Sequence, residues 1–239
     1  MTDAEFLPNN RQKLIAWGIH AYTALGGVLG IFALALAAQH FVREAYVLLV
    51  VQMIIDATDG MMARRVRIKE VLPDFDGAMM DNVIDILTYA WIPLFIILHE
   101  NLLPHPIFIV PAILAALYAY GQVNMKSDDG YFVGFPTYWN IVALYLYWLR
   151  PEGWIAVLIV LVPAVLSFIP TRYLYPSKGE AYWRSAWGLG TLWFVVVLFL
   201  LSQEQPTPEW VLASLLFPAW YMAVSFYVEW RVRRERGRQ

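Results

Sequence analysis

The chain has 239 residues, of which 60% are hydrophobic, 16% aromatic and only 15% charged, with a net charge of −2 and no cysteine. A soluble domain carries about 45–50% apolar and about 25% charged residues, so this composition excludes an ordinary soluble globule, and its aromatic content excludes a disordered chain. The absence of cysteine excludes disulfides, thiolate metal sites and cysteine nucleophiles, and the small net charge gives nucleic acid no electrostatic reason to bind.

A helix crosses the hydrocarbon with about 20 mainly apolar residues. In chain order such stretches fall at 14–38, 46–63, 78–98, 107–123, 138–149, 154–170, 183–201 and 210–228. The sequence therefore predicts an all-α integral membrane protein with about eight transmembrane helices and a single domain. The fifth stretch is short and runs into a turn at Arg150, Pro151, Glu152 and Gly153, so seven spans is the competing count. The first stretch carries His20 and Tyr22 and has no small-residue cleavage pattern, so it reads as a retained span rather than a signal peptide. With eight spans, Arg11, Lys13, Arg64, Arg65, Arg67, Lys69, Lys126, Arg172, Lys178, Arg184 and the tail arginines 231, 233, 234, 236 and 238 fall on one side. Only Arg43 and Arg150 fall on the other, which places both termini in the cytoplasm by the positive-inside rule.

Ionisable groups inside the membrane are costly and mark function. Asp56 and Asp59 lie near the cytoplasmic end of the second span, and Asp81 and Asp85 near the start of the third. At 3.6 residues per turn, Asp56, Asp59, Gly60 and Ala63 share one stripe, and Gly77, Asp81 and Asp85 share another. The short connection between the two spans lets these stripes face each other. Four close carboxylates repel unless cations neutralise them, and an all-oxygen set favours two hard ions, Mn²⁺ or Mg²⁺. Gly60, Ala63 and Gly77 leave room for a ligand to approach the helix backbones, and Arg64 offers a planar cation for phosphate oxygens. A cation path lined by aspartates is the reading from a different class, against which no second acidic layer continues across the membrane.

These residues, Asp56-x2-Asp59-Gly60-x2-Ala63-Arg64 followed by Gly77-x3-Asp81-x3-Asp85, resemble the signature of the CDP-alcohol phosphotransferases, membrane enzymes that move a phosphatidyl group from a CDP-linked donor to an alcohol and release CMP. The long spacer between Arg64 and Gly77 resembles that of the bacterial phosphatidylcholine synthase branch, as does the run from Phe135 to Asn140. The resemblance implies that Asp56, Asp59, Asp81 and Asp85 hold metal, and that Asp85 is also the base for the attacking alcohol. It further implies that Asp59, Gly60, Ala63, Arg64 and Gly77 line the nucleotide pocket, and that the enzyme is a homodimer of the inner membrane with its site facing the cytoplasm. Its substrates on this branch are CDP-diacylglycerol and choline.

Choline is a quaternary ammonium, which proteins bind on aromatic faces. Tyr89, one α-helical turn beyond Asp85, is the first candidate wall, followed by Tyr22, Tyr118, Tyr138 and Trp139. Tyr131, Tyr173, Tyr175, Tyr182 and Trp183 read as interfacial belt or loop residues. A different acceptor, such as serine, inositol or a phosphorylated polyol, stays open, because Arg172 and Arg184 offer a second basic pocket. His20, the one histidine of the cytoplasmic half, reads as a packing or hydrogen-bonding residue. Asn124 and Asn140 read as partners of helix ends or of the acceptor.

Overall fold

The computed structural model describes residues 7–123, 130–175 and 182–236, so Asn124, Lys126, Lys178 and Arg238 lie outside the described residues. The described chain is mostly helical: α1 (Asn10–Ala37), α2 (Val42–Arg65), α3 (Ile68–Val71), α4 (Gly77–Asp85), a π-helical segment (Ile86–Trp91), α5 (Ile92–His99), a 3-10 turn (Pro106–Ile109), α6 (Val110–Gly121), α7 (Trp139–Leu149), α8 (Gly153–Ser167), α9 (Trp183–Leu201), α10 (Pro208–Ser214) and α11 (Leu216–Arg236). Helix occurs in every stretch where the sequence predicts a span. Among the described residues, five helical stretches are long and apolar enough to cross a membrane, whereas Pro106–Gly121, Trp139–Leu149 and Gly153–Ser167 are shorter. At 1.5 Å per residue, α7 rises only about 16 Å against a hydrocarbon thickness of about 30 Å. Many large apolar side chains face outward, among them Leu14, Ile31, Phe32, Trp154, Leu192 and Leu216, as a helix solvated by lipid requires.

The chain divides into two compact units, one ending at Thr88 and the other beginning at Tyr89. In the first, Asn9 opens α1 with a capping box, its side chain accepting from the Gln12 N–H at 2.9 Å while the Gln12 side chain accepts from the Asn9 N–H at 2.8 Å. The buried positions of α1 are 16, 19, 20, 23, 26, 30, 33 and 37, a three-four alternation made mostly of Ala, Gly and Thr. Small residues at that spacing let α1 lie close along α2. A side chain at Gly26 would sit 3.4 Å from both Gln52 and Ile84, so at this level α1 touches α2 and α4 together. The Asp76 carboxylate caps α4, accepting from the Met79 N–H at 2.9 Å.

In the second unit the buried Trp193 indole donates to the Tyr145 hydroxyl at 2.9 Å, Tyr145 donates to Ser214 at 2.7 Å, and Ser214 donates to the Val211 carbonyl at 2.7 Å. This chain of donors ties α7, α9 and α10 together with each polar atom satisfied. The break between α10 and α11 at Leu215 precedes Pro218, whose missing N–H leaves the Ser214 carbonyl without its helical partner. An all-α chain was expected, yet Tyr131–Val133 (β1) and Arg172–Leu174 (β2) pair antiparallel, with Phe132 opposite Tyr173. Tyr173, expected in the interfacial belt or a loop, is fully buried against Phe135 and Phe226, and this burial pushes its phenol up to about 12. Three-residue strands show no alternation long enough to be read from sequence.

Candidate functional site

The four aspartates of the motif, Asp56, Asp59, Asp81 and Asp85, lie in the first unit. Asp56 of α2 and Asp81 and Asp85 of α4 each offer a carboxylate oxygen, and the three oxygens lie within 4.8 Å of one another. The four-residue step from Asp81 to Asp85 puts both on one face of α4, so two helices suffice to build the cluster. Three half-buried carboxylates at this spacing form an oxygen donor set for a hard divalent cation. Asp59 falls outside that group. It is buried one turn along α2, where its Oδ2 accepts a 2.7 Å hydrogen bond from the Thr23 hydroxyl of α1. Beside it, Thr58 donates to the Ile54 carbonyl at 2.8 Å and accepts from the Tyr22 hydroxyl at 3.0 Å, so Tyr22 braces α1 against α2.

The small residues are occupied differently from the sequence expectation of open space. A Cβ at Gly60 would lie 3.2 Å from Nη1 of Arg64, so the exposed guanidinium is folded back over Gly60. A Cβ at Gly77 would lie 2.9 Å from Nδ1 of His20 and closer still to Cε1. At both glycines the missing side chain makes room for another side chain of this protein. Ala63, between them in the motif, is half-buried.

Among the predicted aromatic walls, Tyr89 sits in the π-helical segment directly after Asp85. That wider turn means the α-helical spacing used to place Tyr89 over Asp85 does not carry across it; π-bulges of this kind recur at functional sites. Tyr118 on α6 is exposed and packs on Phe168, with ring centroids 4.7 Å apart. Tyr138 and the fully buried Trp139 open α7 beside Phe135, and Tyr138 also meets Tyr221 edge-on.

Arg172, half of the alternative phosphate pocket, is engaged by Glu229 of α11. The Glu229 Oε2 accepts from the Arg172 backbone N–H at 3.0 Å and lies 3.5 Å from its guanidinium. Arg184 instead lies over the Trp183 ring at 5.4 Å. Glu229 was missed by the sequence reading; its signal was a carboxylate directly after the last apolar run, set among tail arginines.

The chain matches the CDP-alcohol phosphatidyltransferase family over residues 20–169. Phosphatidylcholine synthase of Pseudomonas aeruginosa is 35% identical over 234 residues, covering 95% of each chain. Phosphatidylcholine synthase of Rhizobium johnstonii is 32% identical with 89% of each chain covered, and that of Legionella pneumophila is 32% identical with 90% of this chain and 89% of its own covered. No solved structure matches.

Proposed function

Because the chain belongs to the CDP-alcohol phosphatidyltransferase family, we propose that it is a phosphatidylcholine synthase, transferring the phosphatidyl group of CDP-diacylglycerol to choline with release of CMP. The convergence of Asp56, Asp81 and Asp85 carries this reading, together with relatives of that name matched along most of their length. We read the chain as a single catalytic domain of eight membrane crossings in the inner membrane, with cytoplasmic termini and site, acting as a homodimer.

In this reaction the choline hydroxyl oxygen forms a bond to the phosphorus that bears the diacylglycerol, the bond from that phosphorus to CMP breaks, and the hydroxyl proton passes to a carboxylate oxygen of Asp85. Asp56, Asp59, Asp81 and Asp85 would hold two divalent cations, Mn²⁺ or Mg²⁺, which would supply neutralisation of the diphosphate and of the departing phosphate. Arg64, exposed and folded back over Gly60, turns its fork onto the diphosphate oxygens, and Gly60, Ala63 and Gly77 line the nucleotide. Thr23 holds Asp59 in one rotamer. Choline's trimethylammonium rests on aromatic faces, with Tyr89 the first candidate and Tyr22, Tyr118, Tyr138 and Trp139 the others. The occupied Arg172 argues against a phosphorylated acceptor.

Purified protein given CDP-diacylglycerol and Mn²⁺ is expected to release CMP with choline and not with serine, inositol or glycerol 3-phosphate, to stop when EDTA is added, and to recover when Mn²⁺ is returned. Release with a different acceptor alone would overturn choline and keep the chemistry. Thr23→Val keeps shape but loses the hydroxyl, and should weaken Mn²⁺ affinity by about tenfold, as loss of a ligand's supporting hydrogen bond does; titration of Mn²⁺ against CMP release measures it.

A further inference from the structure

In the second unit, α9 and the stretch made by α10 and α11 are each long and apolar enough to cross a membrane. The short connection between them brings the last turns of α11 back to the start of α9, where Tyr182 lies within electrostatic reach of Arg231. The outward face of α11 changes character towards this end: Leu216, Ala219 and Ala223 are exposed and apolar, Phe226, Tyr227 and Trp230 exposed and aromatic, Arg231 and Arg234 exposed and cationic. Tyr227, Trp230, Arg231 and Arg234 follow the three-four helical step and so share one stripe. α9 shows the same order in reverse, opening with exposed Trp183 and Arg184 and continuing outward through Trp187, Leu192 and Val195. The arginines here divide by their partners. Arg233 is committed to Glu229 and Arg231 to Glu235, whereas Arg184 and Arg234 pair with no carboxylate among the described residues. Each instead lies over an exposed indole of its own helix, Trp183 at 5.4 Å and Trp230 at 5.3 Å. A guanidinium drawn to a ring face gives up no hydrogen bond to it, so its N–H fork remains available to phosphate oxygens. Helix energetics do not account for Arg184, because the helix dipole disfavours a cation in the first turn.

We propose that this end of α9 and α11 is a docking surface for the headgroups of anionic phospholipids, whose phosphodiester is taken by Arg184 and Arg234. The surroundings select the occupant. Both guanidiniums follow directly on exposed aromatic and apolar residues that lipid covers, so they stand at the level where the hydrocarbon ends and the phosphates begin. A soluble anion has no use for that apolar approach, whereas a phospholipid satisfies both parts, its chains along the outer faces of α9 and α11 and its phosphate on the arginines. A zwitterionic headgroup brings its own cation to the phosphate and is held more weakly. The surface is independent of the donor and acceptor proposed above.

The test titrates the full chain in uncharged detergent with dioleoyl phosphatidylglycerol or dioleoyl phosphatidylethanolamine and counts bound lipid by native mass spectrometry. The unmodified chain is expected to favour the anionic lipid, and that preference should shrink at molar salt, where exposed charges are screened. Arg184→Gln or Arg234→Gln should weaken phosphatidylglycerol binding about fivefold and the two together about 30-fold, the weight of one and of two basic side chains at an anionic surface, with phosphatidylethanolamine unchanged. Arg184→Ala with Arg234→Ala is held to the same expectation and decides if the glutamine pair does not fold. Arg65→Gln with Arg67→Gln removes the same charge from the connection after α2 and should cost less. A chain without the preference, a preference untouched by the double variant or by salt, or an equal loss in the Arg65 and Arg67 variant would overturn the surface. Displacement of the lipid by millimolar inorganic phosphate would overturn it too, since that marks a site for a free anion.

Discussion

Asp85→Asn is expected to lower CMP release by about 10²–10⁴-fold, the range that a positioned general base contributes, while CDP still binds in the presence of Mn²⁺. The amide is nearly isosteric but cannot take the choline proton, so the loss falls on kcat rather than on nucleotide affinity. Asp56→Asn is the contrasting variant. It removes the α2 carboxylate of the 4.8 Å cluster and leaves Asp59 as the one proposed ligand on that helix, so Mn²⁺-dependent CDP binding should weaken along with turnover. Calorimetry of CDP with Mn²⁺, run beside CMP release for both variants, separates the two. If both bound CDP and Mn²⁺ as wild type does, this division of labour between α2 and α4 would be wrong.

The acidic cluster was legible because its geometry is local. Asp81 and Asp85 share a face through the helical repeat, Asp56 lies on a neighbouring helix joined by a short connection, and both facts follow from spacing alone. The helices were legible for the same reason, with boundaries displaced where capping decides: α1 starts at Asn10 rather than 14 because Asn9 and Gln12 satisfy its first N–H groups. What escaped was set by packing. Whether a glycine faces open space or a neighbour's side chain depends on the third dimension, so His20 over Gly77 could not be read from the motif. A π turn after Asp85 costs one helical hydrogen bond and leaves no signature in hydropathy. Tyr173 looked like any tyrosine near a membrane end, and its burial follows from a strand pairing that joins residues 132 and 173. Glu229 and Arg172 are 57 positions apart, beyond any periodicity argument.

That last pair carries the largest stability effect expected in the second unit. β2 pairs with β1 on one side only, and its other edge is served by side chains of α11 at four-residue steps. Tyr221 donates to the Leu174 carbonyl at 2.8 Å, Ser225 accepts from the Leu174 N–H at 3.2 Å, and Glu229 accepts from the Arg172 N–H at 3.0 Å. One face of a helix thus supplies what a third strand would. Glu229 is buried and also pairs with the guanidinium groups of Arg172 and Arg233. Glu229→Leu removes the acceptor of the Arg172 N–H and one partner of its largely buried guanidinium, and removing one partner of a buried ion pair costs about 3–5 kcal/mol. Because Arg233 is mostly exposed and its share is screened by solvent, the low end, about 3 kcal/mol, is expected. For a chain of this length that is a fall of roughly 6–12 °C in melting temperature. Glu229→Gln keeps an acceptor for the backbone and should lose less, and Arg233→Ala should lose least, about 0–1 kcal/mol. Thermal melts of the three variants in one detergent measure this order; Arg233→Ala matching Glu229→Leu would place the stabilisation in the exposed pair and not in the strand edge.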